Sequence, residues 1–180
     1  MKQLPVLFLF ILFAFVSCEE DSNTLTSIKG DSGITYDESY SQWQKLKAQN
    51  GNSYTYTLSF TSWTGYGSAT TLTIEDGLVA ERSYVSYEMK YPENEMVVLE
   101  SYTETGDDLG SHDKGVPLFN IDDLYDTCAS DYLVVDEANN TLYFNTDPTG
   151  IMNTCGYVPD NCADDCYVGI NIESFSWLSE

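Results

Sequence analysis

Positive charge is scarce in this sequence. Seven lysines and arginines stand against 29 aspartates and glutamates, a formal net charge of −22. A surface this acidic repels phosphate backbones and anionic headgroups, which argues against nucleic-acid binding and against docking on an acidic bilayer. What remains is a solvated acidic surface, cation condensation or a basic partner. Histidine is nearly absent, with one in the chain, His112. Mixed Cys/His metal ligation and cysteine–imidazole catalysis therefore have little material. The run Ser111-His112-Asp113 holds the residue types of a hydrolytic relay. A relay is defined by geometry, and three consecutive residues do not readily supply it, so His112 reads as an exposed side chain. No internal repeat stands out.

Long apolar runs are also missing, with one exception at the start. Residues 1–17, MKQLPVLFLFILFAFVS, have one early lysine and then an apolar stretch too short and too N-terminal for a stop-transfer helix. This is the pattern of a secretory signal peptide. It runs through Phe15-Val16-Ser17 into Cys18 and then Glu19-Glu20-Asp21. A small residue before a cysteine at the end of an apolar run resembles the lipobox of bacterial lipoproteins, and the acidic run after it resembles the surface-export signal of Bacteroidetes lipoproteins. The resemblance implies cleavage before Cys18 and diacylglycerol on its sulfur, giving an outer-membrane or cell-surface lipoprotein held through that lipid. Each buried methylene contributes about 0.8 kcal/mol, and more than one chain gives stable anchoring. The alternative is a soluble secreted protein cut after Cys18. Residues 18–34 are polar, rich in Ser, Gly and Asp, and read as a tether. Residues 35–180 suit one domain with a sizeable core.

Five cysteines sit in this exported chain. If lipid takes Cys18, the set Cys128, Cys155, Cys162 and Cys166 is even, and an oxidising compartment favours two disulfides. Their spacings match no common zinc pattern. Cys128 lies on the apolar face of a short helix, so the preferred pairing is Cys128–Cys166 with Cys155–Cys162, while Cys128–Cys155 stays open. The stretch CGYVPDNCADDC also carries Asp160, Asp164 and Asp165. Counted as an EF-hand from Asp160 it fails, with Asp165 where Gly is needed and Asn171 where an acid is needed. A calcium site of another type on these three aspartates is chemically open, but turn-forming Asp beside Pro159 is the simpler account. Adjacent Asp164 and Asp165 point to opposite faces of a strand and make a poor glycosidase pair. No cofactor and no catalytic constellation follow.

Aromatics are abundant, with 14 tyrosines and three tryptophans. Tyrosine suits β-rich cores, and an open aromatic sheet face would also suit a ligand or partner. The periodicities are clear. Thr35 and Glu38 form a capping box before Tyr40, Trp43 and Leu46 at helical spacing, closed at Asn50-Gly51. Tyr54, Tyr56, Leu58 and Phe60 alternate with threonine and serine, a strand. Leu72 and Ile74 continue to an Asp76-Gly77 turn, followed by a strand over Val79–Tyr91 and another over Met96–Tyr102. Residues 103–117 read as a surface loop that could move. Asn120 caps a second helix, IDDLYDTC. Strands are expected at Tyr132–Val135, Leu142–Phe144, Ile151–Val158 and Tyr167–Trp177, the last with a bulge where Phe175 and Trp177 change parity.

Several of these elements together resemble a family of small secreted and lipoprotein domains of unknown function. They are Trp43 in the first helix, the Ser53-Tyr54-Thr55-Tyr56 strand, the Asp76-Gly77-Leu78-Val79 hairpin, the Ile121-Asp122-Asp123-Leu124-Tyr125 helix, and Asp164-Asp165 before a terminal strand. The resemblance covers residues 35–178 and carries no activity. The order of elements gives an α+β domain: an antiparallel sheet of about six to eight strands, two helices on one face, stapled by disulfides. The expected function is a non-enzymatic binding or structural module of the cell envelope, its protein or glycan partner unnamed. A calcium- or carbohydrate-binding module competes with it, and a hydrolase using Asp carboxylates is third.

Overall fold

The computed structural model describes residues 27–179. The expected signal peptide, Cys18 and the first part of the expected tether lie outside the described residues. Both helices start where the sequence caps them. Thr35 is extended, its hydroxyl accepts the Glu38 N–H, and the Glu38 carboxylate takes the Thr35 N–H at 2.9 Å. That reciprocal pair satisfies two orphan donors and sets the start of α1, Tyr36–Asn50. Asn120 and Asp123 repeat the device at α2, Ile121–Thr127.

Seven strands form one sheet in the order β4-β3-β2-β1-β7-β6-β5. They are β1 (Tyr54–Thr61), β2 (Tyr66–Glu75), β3 (Leu78–Lys90), β4 (Glu95–Thr105), β5 (Asn140–Thr146), β6 (Met152–Pro159) and β7 (Val168–Trp177). Every pairing is antiparallel. Period two sends Tyr54, Tyr56, Leu72 and Ile74 to the face that both helices cover. Thr55, Thr57, Thr71 and Ser83 fall on the other face, where Thr57 pairs with Thr71 and Ser83 with Thr103, each at 2.9 Å. The expected bulge in β7 is present: Thr57 faces Ser174 but Leu58 faces Ile172. Glu173 is the extra residue, and the shift lets Ile172 and Phe175 both turn inward.

The core is aromatic. Trp43 from α1 stacks on Trp177 at 5.5 Å and meets Tyr54 and Phe175 edge-on. Buried tyrosine hydroxyls then join the layers. Tyr54 accepts the Ile121 N–H at the start of α2, Tyr56 donates to the Phe119 carbonyl, and Tyr36 donates to the Tyr125 carbonyl. The Tyr125 hydroxyl meets Ser39 and the Met152 N–H. Burial pushes the Tyr36 phenol up to about 12 and lifts those of Tyr54, Tyr56 and Tyr125 further above their ordinary value. Their contribution is therefore complete below the unfolded-chain value near 10 and is lost as pH rises through the folded values. Alkaline titration followed at 295 nm is expected to show these phenols ionising together with loss of near-UV dichroism, above pH 10, rather than one by one.

Asp122, in the first turn of α2, ties the helices to each other. It accepts from Trp43 Nε1 at 3.1 Å, Gln44 Nε2 at 2.8 Å and Lys47 Nζ at 2.7 Å. Burial works to raise its carboxyl, and the hydrogen bonds from Lys47, Gln44 and Trp43 outweigh burial and hold it below the usual value. Asp122→Ala strips the Trp43 N–H of its partner and is expected to cost about 1–3 kcal/mol in urea unfolding. Lys47→Ala, which removes the partly exposed ion pair and the ammonium lying over the Trp43 ring, should cost about 1 kcal/mol.

The secondary structure departs from the sequence reading in three places. Tyr132–Val135 is not a strand: Cys128–Tyr132 continues α2 as a π-helical turn, closed by the Leu133 N–H on the Cys128 carbonyl at 3.0 Å. Leu133 is buried while Val134 points outward, so the apolar run serves a helix end. Residues 103–117 are not a free loop, because β4 runs to Thr105 and the remainder is tied down, as described below. The tether, finally, is docked before residue 35. Ile28 packs on the core, Lys29 bridges to Thr35, and the Ser32 N–H bonds Asn145 Oδ1 at 3.2 Å.

Candidate functional site

The helical layer is shorter than the sheet beneath it. Even with its π-turn, the helical segment Ile121–Tyr132 rises only about 18 Å, whereas the eight residues of β1 span about 27 Å. Leu58 and Phe60 therefore run out past the helices, together with Tyr66, Ser68 and Thr70 of β2 and Tyr84 of β3. A cleft of about 820 Å³ opens over them, a size within the range of small-molecule sites. Its back is formed by Leu124, Thr127 and Tyr132 from α2 and the π-turn. One wall is the segment 114–119, and the other is Tyr167, Gly169 and Asn171, with Asp165 at the rim.

The first wall is fixed by a buried ion pair. Arg82 and Glu104 occupy inward positions on β3 and β4, directly opposite each other. The guanidinium grips the carboxylate at two points, Nε–Oε2 2.8 Å and Nη2–Oε1 2.9 Å, with side chains 5% and 0% exposed. Arg82 also donates to the carbonyls of Val116 at 3.0 Å and His112 at 2.8 Å. Glu104 accepts the N–H groups of Gly110 at 2.9 Å and His112 at 2.7 Å. Two opposite charges thus satisfy both ends of the 106–117 loop. The Arg82 guanidinium holds the Glu104 carboxyl well below the carboxylate range, and the Gly110 and His112 N–H groups help against the cost of burial. His112 is not a bystander: its ring lies 3.9 Å from that of Tyr102, and its Nδ1 sits 2.8 Å from Glu104 Oε1. Ser111 Oγ approaches the same Nδ1 at 3.2 Å. A hydrolytic relay needs carboxylate and hydroxyl on different ring nitrogens, so this cluster is a latch. Gly115, at φ +87, lets the chain pass close over the sheet, since a Cβ there would sit 3.0 Å from the Tyr102 hydroxyl and 3.2 Å from Thr70 Oγ1.

The second wall belongs to the cysteine-rich stretch. The structure bonds Cys128 to Cys155 and Cys162 to Cys166. All four expected cysteines pair, but the preferred partners are corrected. Cys155 faces the helices from β6, 5.8 Å Cα to Cα from Cys128 at the end of α2. Cys166 stays in the exposed turn between β6 and β7, out of reach of the core. Two glycines face each other next to that turn, Gly156 and Gly169. A Cβ on either would collide with backbone at 2.3 or 2.2 Å, and the Tyr167 hydroxyl lies against both positions. The pair leaves the space that Tyr167 uses to lie across the strands and donate to the Ile170 carbonyl at 2.8 Å.

The three aspartates do not converge. Asp160 accepts from Thr141 Oγ1 at 3.3 Å, while Asp165, at φ +49, takes the Ser62 hydroxyl. Among the described residues no three His, Cys, Asp or Glu side chains come together in a way that could hold a metal ion. Of the two adjacent acids proposed for hydrolysis, Asp165 alone lines the cleft, and glycoside hydrolysis takes a facing pair. Lys114 is the cation on the lining, and it is bonded to Glu100.

The floor and wall residues Tyr66, Tyr84, Arg82, Glu104 and Tyr167 escape a reading of the sequence alone. The available signal is parity: Arg82 stands in phase with buried Tyr84, and Glu104 in phase with Tyr102. Opposite charges at inward positions of successive strands point to a buried pair once the register is known.

An uncovered sheet end, walled by a latched loop and a cystine-closed turn, defines an α+β domain with a preformed aromatic cleft. Comparisons with protein-family models, with curated proteins and with solved structures return no match for the chain. The two disulfides indicate an oxidising environment such as the cell exterior. Among the described residues no helix is long and apolar enough to cross a membrane.

Proposed function

We propose that this chain is a lipid-anchored binding module of the bacterial cell envelope, held by acyl chains on Cys18 and taking its ligand in the aromatic cleft. The observation that carries the reading is the cleft itself. It is preformed, with walls held by a buried ion pair and a hydrogen-bonded turn, so a ligand meets a site that needs little ordering. The lipobox-like Cys18, the acidic residues after it and the resemblance to small lipoprotein domains support the anchor. Asp165 stands without a second facing carboxylate, which supports binding over catalysis.

Two measurements test the two halves. In fractionated cells the full chain should sediment with membranes, and Cys18→Ala should move it to the soluble fraction. Wild-type protein in the soluble fraction would favour secretion without lipid. For the cleft, amide chemical shifts recorded with a library of small polar and aromatic fragments should move at Ser68–Thr70 and 114–116. Ser68→Trp, which fills the floor, should abolish the response. Shifts scattered over the surface, or equal in Ser68→Trp, would overturn the cleft as the site.

A further inference from the structure

Resting on that reading, we propose that the cleft binds an uncharged oligosaccharide, laid along the sheet with its sugar faces on Tyr66 and Phe60. Three observations select this class. The first is the lining chemistry. Down one face of β2 an aromatic ring, Tyr66, is followed by two hydroxyls, Ser68 and Thr70, and Phe60 lies beside them at 6.4 Å from Tyr66. Rings offer flat apolar surface to C–H groups, and hydroxyls between them supply donors and acceptors for sugar hydroxyls. An acyl chain in the same place would strip water from the Ser68 hydroxyl without replacing its hydrogen bonds, whereas Thr70 is buried and already accepts the Val116 N–H.

The second is charge. An anionic ligand needs a free cation in the cleft, and Lys114 is engaged by Glu100. The surrounding chain carries a net −22, which opposes anions further. A cationic ligand would find a single carboxylate, Asp165 at the rim, which already accepts the Ser62 hydroxyl. Charge thus disfavours anions, and the rings and hydroxyls of the floor favour a neutral polar ligand over a cation.

The third is the open mouth. The β1–β2 hairpin tip carries Trp63, 75% exposed, one residue from the Ser62 that holds Asp165 on the rim. A solvent-facing ring at the edge of a cleft extends the stacking surface beyond it. A chain of sugars uses that extension, and a single compact molecule does not.

The test uses the disulfide-bonded domain and titrates it with cello-, xylo-, manno- and malto-oligosaccharides, with galacturonate oligomers and palmitate as comparators. The readouts are tryptophan fluorescence, calorimetry and amide shifts. At least one neutral oligosaccharide is expected to bind, more tightly as its length grows. Tyr66→Ala should weaken it tenfold or more, and Trp63→Ala should weaken the longer chains selectively. Leu78→Ala, an exposed side chain at the far end of the β2–β3 hairpin from Tyr66, should change nothing. Because Tyr66 and Trp63 are surface residues, unchanged thermal unfolding in their variants separates lost contact from lost fold. If palmitate, galacturonate or library fragments shift the cleft while every neutral sugar fails, the sugar assignment falls and the cleft reading stands. If nothing shifts the cleft, both fall.

Discussion

Arg82→Met is expected to destabilise the domain by about 3–5 kcal/mol, the range for removing one partner of a buried, hydrogen-bonded ion pair. The size follows from what the substitution leaves behind. The Glu104 carboxylate stays out of water, and the carbonyls of Val116 and His112 lose their shared donor. Methionine fills the space, so cavity formation adds little. The double variant Arg82→Met/Glu104→Leu should recover part of the loss, because two apolar side chains bring no charge into the sheet. Denaturant unfolding of the three proteins at pH 7 reads this directly. Acid provides a second check. The pair holds the folded carboxyl below its unfolded value near 4.3, so its contribution is complete above that pH and disappears as pH falls toward the folded value. Wild type should lose stability steeply below about pH 4, and Arg82→Met should show a flatter acid limb. The variant should also bind ligand poorly, since segment 114–117 is the cleft wall that this arginine holds.

Removing the inner disulfide is the second large effect. Cys128→Ala/Cys155→Ala releases a cross-link spanning 27 positions between α2 and β6. Restriction of the unfolded chain over a loop of that length contributes about 3–4 kcal/mol. Both cysteines are buried, so the folded side loses packing as well. The outer bridge spans only four positions in an exposed turn, and Cys162→Ala/Cys166→Ala should cost about 2 kcal/mol or less. Accessibility orders their chemistry in the same way. Under mild reductant with an alkylating trap, mass spectrometry should find Cys162 and Cys166 labelled first, and Cys128 and Cys155 only with global unfolding. Equal labelling of all four would show that the inner bridge is not shielded.

Local signals in the sequence marked the elements well. The Thr35 and Asn120 capping boxes, the alternation of Tyr54 to Phe60 and the parity change at Phe175 each state a backbone geometry in a few adjacent residues. Where the reading missed, the deciding contact was distant. Cys128 meets Cys155 because β5 and β6 return under α2, and residue spacing does not encode that return. Tyr132–Val135 looks like a strand by composition, but the helix end is held by Cys128 and needs a buried leucine there. His112 is exposed, as its loop suggests, but only the register of β3 on β4 brings Glu104 beneath its ring. The cleft is harder still, because it arises from a mismatch in length between two layers.

The central position of β7 has a consequence for assembly. β1 hydrogen-bonds to β2, its immediate successor, and to β7, more than a hundred residues later, with Tyr54 facing Trp177. The meander β1–β4 is built from neighbours in sequence and can form early. The β5–β6 hairpin can form separately. Neither half joins the other until the last strand slides between them, which closes the long loop and slows the final step. A chain arranged this way stays divided until β7 is in place, so the Trp43 cluster is sealed only when Phe175 and Trp177 dock against it.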